Sequence, residues 1–371
     1  MIASVPRTAR LGLSLLALLA SQHATAVVVK DIAGRSVNVP DKVERVLLGE
    51  GRLFYALSLL EGKKPLARIA GWQGDFRMLD PQGYAEYRQH FPEIDKIPLI
   101  GKTSEASISP EKVLTLRPDL AIFSTSGHGP SLDNPIVQQL TQAGVAVIFV
   151  DFRDKPLEHT VPSLRLMGKA LGRSQQAESF IRFYEDKRNT IQRRLAAVPA
   201  AQRPLVFADV RAGTIEELTT AGKGSFGELV ELAGGRNLGS ALLDAPLGQV
   251  NPEHVLVQKP THYFASGAAG PGDKTGVKFG AAVSRADALA SLAAMGQREQ
   301  LKGLPAARGS NTFAGWHMFY IMPQHIILAE AMAKWLHPAQ FKDVDPARSW
   351  QDMHQRFAAF TPAGTYWVGS R

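Results

Sequence analysis

The sequence predicts an α/β fold built as two Rossmann-like lobes joined by a single long helix. Three observations lead there. Short apolar or β-branched runs alternate with helical patterns, which is the grammar of a parallel sheet covered by helices. The alternation occurs twice, in residues 27–173 and again in 199–345. Between the two series lies a polar stretch, 174–198, with one apolar helical stripe and no Gly or Pro before Pro199.

The elements follow in order. Residues 43–48 read as a strand that stops at Gly49-Glu50-Gly51, after which Leu53, Ala56, Leu57 and Leu60 recur at helical spacing. Residues 110–116 read as a short helix with Pro110 in its first turn, Arg117-Pro118-Asp119 breaks it, and 120–124 is a buried strand. A helix over 136–143 is closed by Gly144, and 145–150 is the next strand. In the connecting stretch Phe180, Ile181, Tyr184, Ile191 and Leu195 mark one face. At ~1.5 Å per residue a helix there runs about 35 Å, enough to pass from one small lobe to another; the alternative is a surface helix within one larger domain. The second series has strands at 205–210 and 262–265 and helices at 226–232 and 252–257. Residues 346–371, with Trp350, Phe357, Phe360, Tyr366 and Trp367, are too aromatic for a loose tail and are expected to pack back as a C-terminal helix and strap.

Composition bounds the function. The chain has 371 residues, 45% hydrophobic and 20% charged, as in an ordinary globular protein. The net charge of +8 is scattered, without a run of five basic residues, so nucleic acid is not an expected partner. There is no Cys, which removes disulfides, thiolate chemistry and lipid attachment to an N-terminal Cys. Residues 1–26 read as a signal peptide: Arg7 and Arg10 precede an apolar run over 11–20, and Ala24-Thr25-Ala26 is an A-x-A cleavage site. An uncleaved anchor is the competing reading, but that run is short of the ~20 residues that span a bilayer. Cleavage after Ala26 would release a mature chain of net charge +6. Without a lipidation Cys, a Gram-negative periplasm is the natural compartment.

Catalytic signatures fail on inspection. Gly101-Lys102-Thr103 lacks the upstream Gly of a phosphate-binding loop, since position 96 is Lys96. Ser225 lacks the first Gly of a nucleophile elbow, because Lys223 stands there. The ten His are dispersed and form no H-E-x-x-H motif. An exported, bilobal chain of this kind is expected to bind rather than to transform.

Several segments together resemble the periplasmic substrate-binding proteins of iron-siderophore, haem and cobalamin ABC importers. They are Val43-Glu44-Arg45-Val46-Leu47, the run Ile108-Ser109-Pro110-Glu111-Lys112-Val113-Leu114-Thr115-Leu116-Arg117-Pro118-Asp119-Leu120, Gly224-Ser225-Phe226-Gly227-Glu228-Leu229-Val230-Glu231-Leu232-Ala233-Gly234-Gly235, and Val250-Asn251-Pro252-Glu253-His254-Val255-Leu256. The resemblance runs over roughly residues 28 to 340 and implies a ligand cleft between two lobes and delivery to a membrane permease. It also implies docking through one acidic residue on each lobe, here Glu111 and Glu228, with Glu231 a near rival. The helix dipole alone would also favour a Glu in a first turn.

Ligands of parallel α/β lobes meet the loops beyond the carboxyl ends of the strands. That rule selects the loops 49–52, 71–77, 124–129, 211–214, 266–280 and 316–320, and within them Arg52, Arg77 and Arg211 as anion-binding candidates, with Arg52 directly before a helix. Trp72, Tyr84, Tyr87, Trp316, Phe319 and Tyr320 are candidate flat apolar faces for a bulky ligand. Trp72 and Trp316 lead because Gly71 and Gly315 precede them, as in loops. His317 is a further ligand candidate or a hydrogen-bonded structural residue. Two long loops, 72–95 and 267–280, the latter with five Gly and one Pro, are expected to set ligand identity. The expectation is a monomeric carrier of a ferric siderophore, with no cofactor, no metal-ligand set of its own and no catalysis; haem or a corrinoid is the alternative ligand. A secreted α/β enzyme, or a sensory domain that kept the fold, is the alternative class.

Overall fold

The structure, a computed structural model, describes residues 26–268 and 275–370. The expected signal peptide up to residue 25 and positions 269–274 of the glycine-rich loop lie outside the described residues. Ala26–Lys30 pairs antiparallel with Ser36–Pro40 as a hairpin packed beside the first sheet.

The first sheet has five strands, all parallel, in the spatial order Leu99–Gly101, Ile69–Gln73, Val46–Leu48, Leu120–Ser124, Ala146–Val150. Burial on both faces explains the composition of its strands: Leu120–Ser124 and Ala146–Val150 are near-continuous apolar runs. The chain winds outward from the first strand on one side and then on the other. The switch point therefore lies between Val46–Leu48 and Leu120–Ser124, where open α/β sheets place their ligands. One local recipe recurs before five helices: Asp80, Ser109, Asn134, Asn251 and Asp345 cap from their side chains and a Pro follows.

The second sheet is mixed. Leu205–Asp209 and His262–Gly267 run parallel, as expected, and are joined by Thr312–Trp316, a parallel strand not expected from the sequence; Thr219–Ala221, Leu247–Gln249 and Trp367–Gly369 add antiparallel strands on the two sides. These added strands are three residues long, too short to show a period-2 pattern.

The connecting helix spans Ser174–Leu195, and its buried face includes Ala177, Phe180, Ile181, Tyr184, Ile191 and Leu195. It packs against Pro156–Ala170 of the first lobe and His325–Leu336 of the second. Tyr184 Oη lies 2.8 Å from His325 Nε2 within that contact. Among the described residues, no helix is long and apolar enough to cross a membrane.

The C-terminal segment ties the lobes a second time. After the helix Pro346–Phe357, the carbonyls of Ala358 and Ala359 accept from Lys63 Nζ, and the Phe360 ring stacks on His90 at 4.0 Å. Ala363 N donates to Glu86 Oε1 at 2.7 Å, and the chain then returns to the second sheet as Trp367–Gly369. Lys63, His90 and Glu86 all belong to the first lobe, so the strap crosses the interface and comes back.

Candidate ligand cleft

The turn after Val46–Leu48 is shaped by two glycines. A Cβ on Gly49 would stand 2.3 Å from the Phe123 ring, and one on Gly51 would stand 2.4 Å from the Gln73 carbonyl. The tight passage turns Arg52 inward, where it is only 1% exposed. Its Nε pairs with Asp75 Oδ2 at 2.7 Å, and its Nη1 donates to Tyr320 Oη of the other lobe at 2.8 Å. Glu50 stands 3.5 Å from Arg52 Nη2 and 2.9 Å from Arg153 Nη2, and its other oxygen accepts from His128 N. Burial pushes the Glu50 carboxyl up, but the charges of Arg153 and Arg52 and the His128 bond outweigh it and hold it below the usual range. Glu50 is therefore an ionised hub joining the turns after three strands.

Arg153 follows Ala146–Val150 by three residues. Asp151 accepts from the backbone N–H groups of Arg153, Asp154 and Lys155 and fixes this turn. Arg153 Nη1 donates to the Ser126 carbonyl at 3.0 Å, and its guanidinium lies over the Tyr320 ring at 5.1 Å. Its Nε is buried without a partner among the described residues.

The second lobe contributes His317, Tyr320, Ser266 and Arg211. His317 and Tyr320 stack at 4.5 Å. Ser266 Oγ accepts from Arg211 N and lies 3.1 Å from His317 Nδ1. Burial first, and then the charges of Arg211, Arg52 and Arg153, hold His317 well below its ordinary pKa, so it is neutral at pH 7. Arg211 has a left-handed backbone (φ 56°) and an exposed side chain with no carboxylate in ion-pair range among the described residues. Three arginines against Glu50 and Asp75 leave the group net positive, with Arg211 exposed and Arg153 half-buried.

The family model for periplasmic binding proteins matches residues 80–309, more than half of the chain. The protein belongs to the periplasmic binding protein family. Molybdate-binding protein MolA of Haemophilus influenzae is 23% identical to this binding protein over 351 residues, 89% of this chain and 90% of that one. YvrC of Bacillus subtilis, an ABC transporter substrate-binding lipoprotein, is 22% identical over 171 residues, 44% of this chain. That match spans about half of YvrC's length, 52%. Among solved structures, the TroA-like periplasmic binding protein FepB from Veillonella parvula has a TM-score of 0.80 at 24% identity, covering 92% of this chain and 99% of that one. The α/β class and the bilobal fold of this binding protein agree with that likeness.

Several residues selected from the sequence sit elsewhere. Trp72 is 1% exposed inside the strand Ile69–Gln73, edge-on to Phe54 and Phe76. Trp316 is 3% exposed and packs on Tyr55 and Tyr366. The glycines before them are packing glycines rather than loop markers, since the absent Cβ of Gly71 admits Leu116 and that of Gly315 admits Leu328. Tyr84 is buried, with its Oη bonded to Asp95, and Tyr87 and Phe319 pack among other aromatic rings. Arg77 is exposed over the Tyr84 ring, at 5.7 Å, and does not join the arginine group. Arg52, Arg211, His317 and Tyr320 do come together. Glu111 is exposed, but Glu228 is half-buried and accepts from Leu157 N at 2.9 Å, capping a helix of the first lobe. That bond ties the lobes and removes Glu228 from the outer surface, whereas Glu231, one helical turn on, is exposed.

The loops that hold Glu50 and His128 are among those the sequence selects, though neither side chain was singled out, and Arg153 was missed altogether. Arg153 obeys the same carboxyl-end rule as the others, so the signal for it was present.

Proposed function

We propose that the protein is the periplasmic substrate-binding component of an ABC importer, exported by a signal peptide cleaved after Ala26. It carries an anionic iron complex, a ferric siderophore, in the interlobe cleft to an inner-membrane permease. It acts as a monomer, needs no cofactor and performs no chemistry on its cargo. The observation that supports this most is the convergence of Arg153 and Arg211 with Arg52 about the neutral His317 at the switch point. An anionic ligand spanning both lobes would meet Arg153 on one side and Arg211 on the other. Arg suits this task because its planar fork binds carboxylate or phenolate oxygens bidentately. Glu111 on the first lobe and Glu231 on the second are the exposed acidic residues proposed to meet the permease. Haem and corrinoids are disfavoured because Trp72 and Trp316, the flat faces expected to cover them, are buried.

The test is a fluorescence titration of the mature chain with ferric catecholate, hydroxamate and citrate chelates, haem and cobalamin. Saturable quenching by one ferric class, weakened at least tenfold in Arg153→Gln and Arg211→Gln, is expected. Binding of haem or cobalamin alone would replace the ligand, and no binding would replace the transport reading.

A further inference from the structure

Beside Arg153, above the first sheet, lies a pocket of about 200 Å³. It is formed by the loops after Leu99–Gly101 and Leu120–Ser124, and its walls include Thr103, Ser104, Ser124, Ser126, Glu105 and His128. Its volume is below the roughly 300 to 1,000 Å³ of a site for a drug-sized ligand, so it fits one arm of a ligand rather than the whole.

The lining has an unusual polar inventory. The hydroxyl-bearing side chains of Thr103, Ser104 and Ser124 line the pocket, and Ser126 Oγ is buried without a partner among the described residues. A buried hydroxyl without a partner is costly unless a ligand or water completes it. His128 Nδ1 lies 3.0 Å from the Thr103 carbonyl. A carbonyl only accepts, so Nδ1 carries the proton and the neutral ring keeps Nε2 as an acceptor. Burial first, and then the Arg52 charge, lowers the His128 pKa and favours that neutral ring. Glu105 is held below the usual carboxylate range by bonds from Ser131 and Asn134, so it stays ionised.

This set of groups excludes two ligand chemistries. An ionised Glu105 repels a carboxylate arm, and the lining contains no Phe, Tyr or Trp face for a catechol or tetrapyrrole ring to stack on. It welcomes neutral hydroxyls, which donate to Glu105 and His128 and accept from the Ser and Thr hydroxyls. The backbone of Ser126 and Gly127 separates this pocket from the Arg153 guanidinium: a Cβ on Gly127 would stand 1.8 Å from Arg153 Nη1. A ligand seated on Arg153 thus lies one backbone thickness from the hydroxyl pocket.

We propose that the pocket receives an arm of the cargo whose hydroxyls are not bound to iron, which assigns the cargo to the ferric chelates of polyhydroxylated carboxylates. Ionised carboxylates meet Arg153 and Arg211, and hydroxyls fill the pocket. This inference rests on the reading that the cleft holds an anionic iron complex.

The experiment is a calorimetric titration of the mature protein with ferric gluconate, a ferric catecholate, haem and molybdate, repeated in Ser126→Ala and Thr103→Val. Saturable binding of ferric gluconate, tighter than that of the other three, is expected. Each variant is expected to weaken it about three- to tenfold, the range for one lost hydrogen bond. Unchanged unfolding midpoints in both variants establish that the loss is local; if one variant is destabilised, the other carries the comparison. Tighter binding of the catecholate, haem or molybdate overturns the ligand class while leaving a functioning cleft. Gluconate binding that both variants leave untouched overturns the pocket assignment. Failure of every probe overturns the inference together with the reading beneath it.

Discussion

Replacing Arg52 by Gln separates a structural role from a ligand-contact role. Arg52 is 1% exposed and holds Asp75 at 2.7 Å, Tyr320 Oη at 2.8 Å and Glu50 at 3.5 Å. Gln is too short and uncharged to serve all three, so Asp75 keeps only the Gly51 N–H as a close donor. Removing one partner of a buried ion pair costs about 3 to 5 kcal/mol. With a urea slope of roughly 3 kcal/mol/M, the unfolding midpoint should fall by about 1 to 2 M. Arg153→Gln is the contrast. Its partner Glu50 retains Arg52 and the His128 N–H, so the loss should be about 1 kcal/mol, near 0.3 M on the same slope. Urea unfolding followed by circular dichroism, with ligand affinity measured on the same samples, reads both effects. An Arg52→Gln protein that unfolds at the wild-type midpoint yet binds no ligand would make Arg52 a ligand contact rather than a brace.

Other outcomes follow from the same structure. Gly127→Ala forces a Cβ against Arg153 and Glu50 at a backbone φ of 128°, so ligand affinity should fall at least tenfold in a titration, with near-native circular dichroism. Trp72→Ala opens a core cavity and should cost about 3 to 5 kcal/mol by urea unfolding, while ligand affinity of the folded fraction stays within twofold. Burial pushes Glu86 up to about 7 and Asp80 up to about 6. These acids hold protons in the native state that the unfolded chain releases near pH 4, so their stabilisation is full below that pH and is lost as pH rises through 6 and 7. The unfolding midpoint of Glu86→Gln should accordingly gain on wild type between pH 5 and 8, and a constant difference would contradict the assignment. Deleting residues 358–371 removes the strap that returns to the first lobe. Small-angle scattering should then show ligand-dependent compaction that the intact chain, pinned at Lys63, His90 and Glu86, shows only weakly.

The fold was legible because its signals are local. Capping side chains followed by Pro at 109–110, 134–135 and 251–252, and continuous apolar runs such as Ala146–Val150, set helices and buried strands without tertiary information. The three-residue antiparallel strands of the second sheet carry no such pattern, and they exist because a neighbouring strand offers hydrogen bonds. The site was legible only in part. The carboxyl-end rule found Arg52, Arg211, His317 and Tyr320, since topology dictates where loops gather. It failed for Trp72 and Trp316 because a Gly before an aromatic residue serves a loop and a close-packed strand equally well, and only the neighbouring Leu116 and Leu328 decide between them. The position of Glu228, taken from the resemblance, was not legible because an outward first-turn Glu and a cap on another helix look alike in sequence; the Leu157 N–H that distinguishes them lies 71 residues away.

The central claim is that a net-positive interlobe cleft holds an anionic ferric chelate between Arg153 and Arg211. Equilibrium dialysis of the mature protein against radiolabelled ferric chelate, in wild type and in the Arg153→Gln/Arg211→Gln double variant, tests it most directly. One equivalent of iron retained with its chelator by wild type and lost by a folded double variant is the predicted result. Equal retention by both proteins, or none by wild type, would contradict the account.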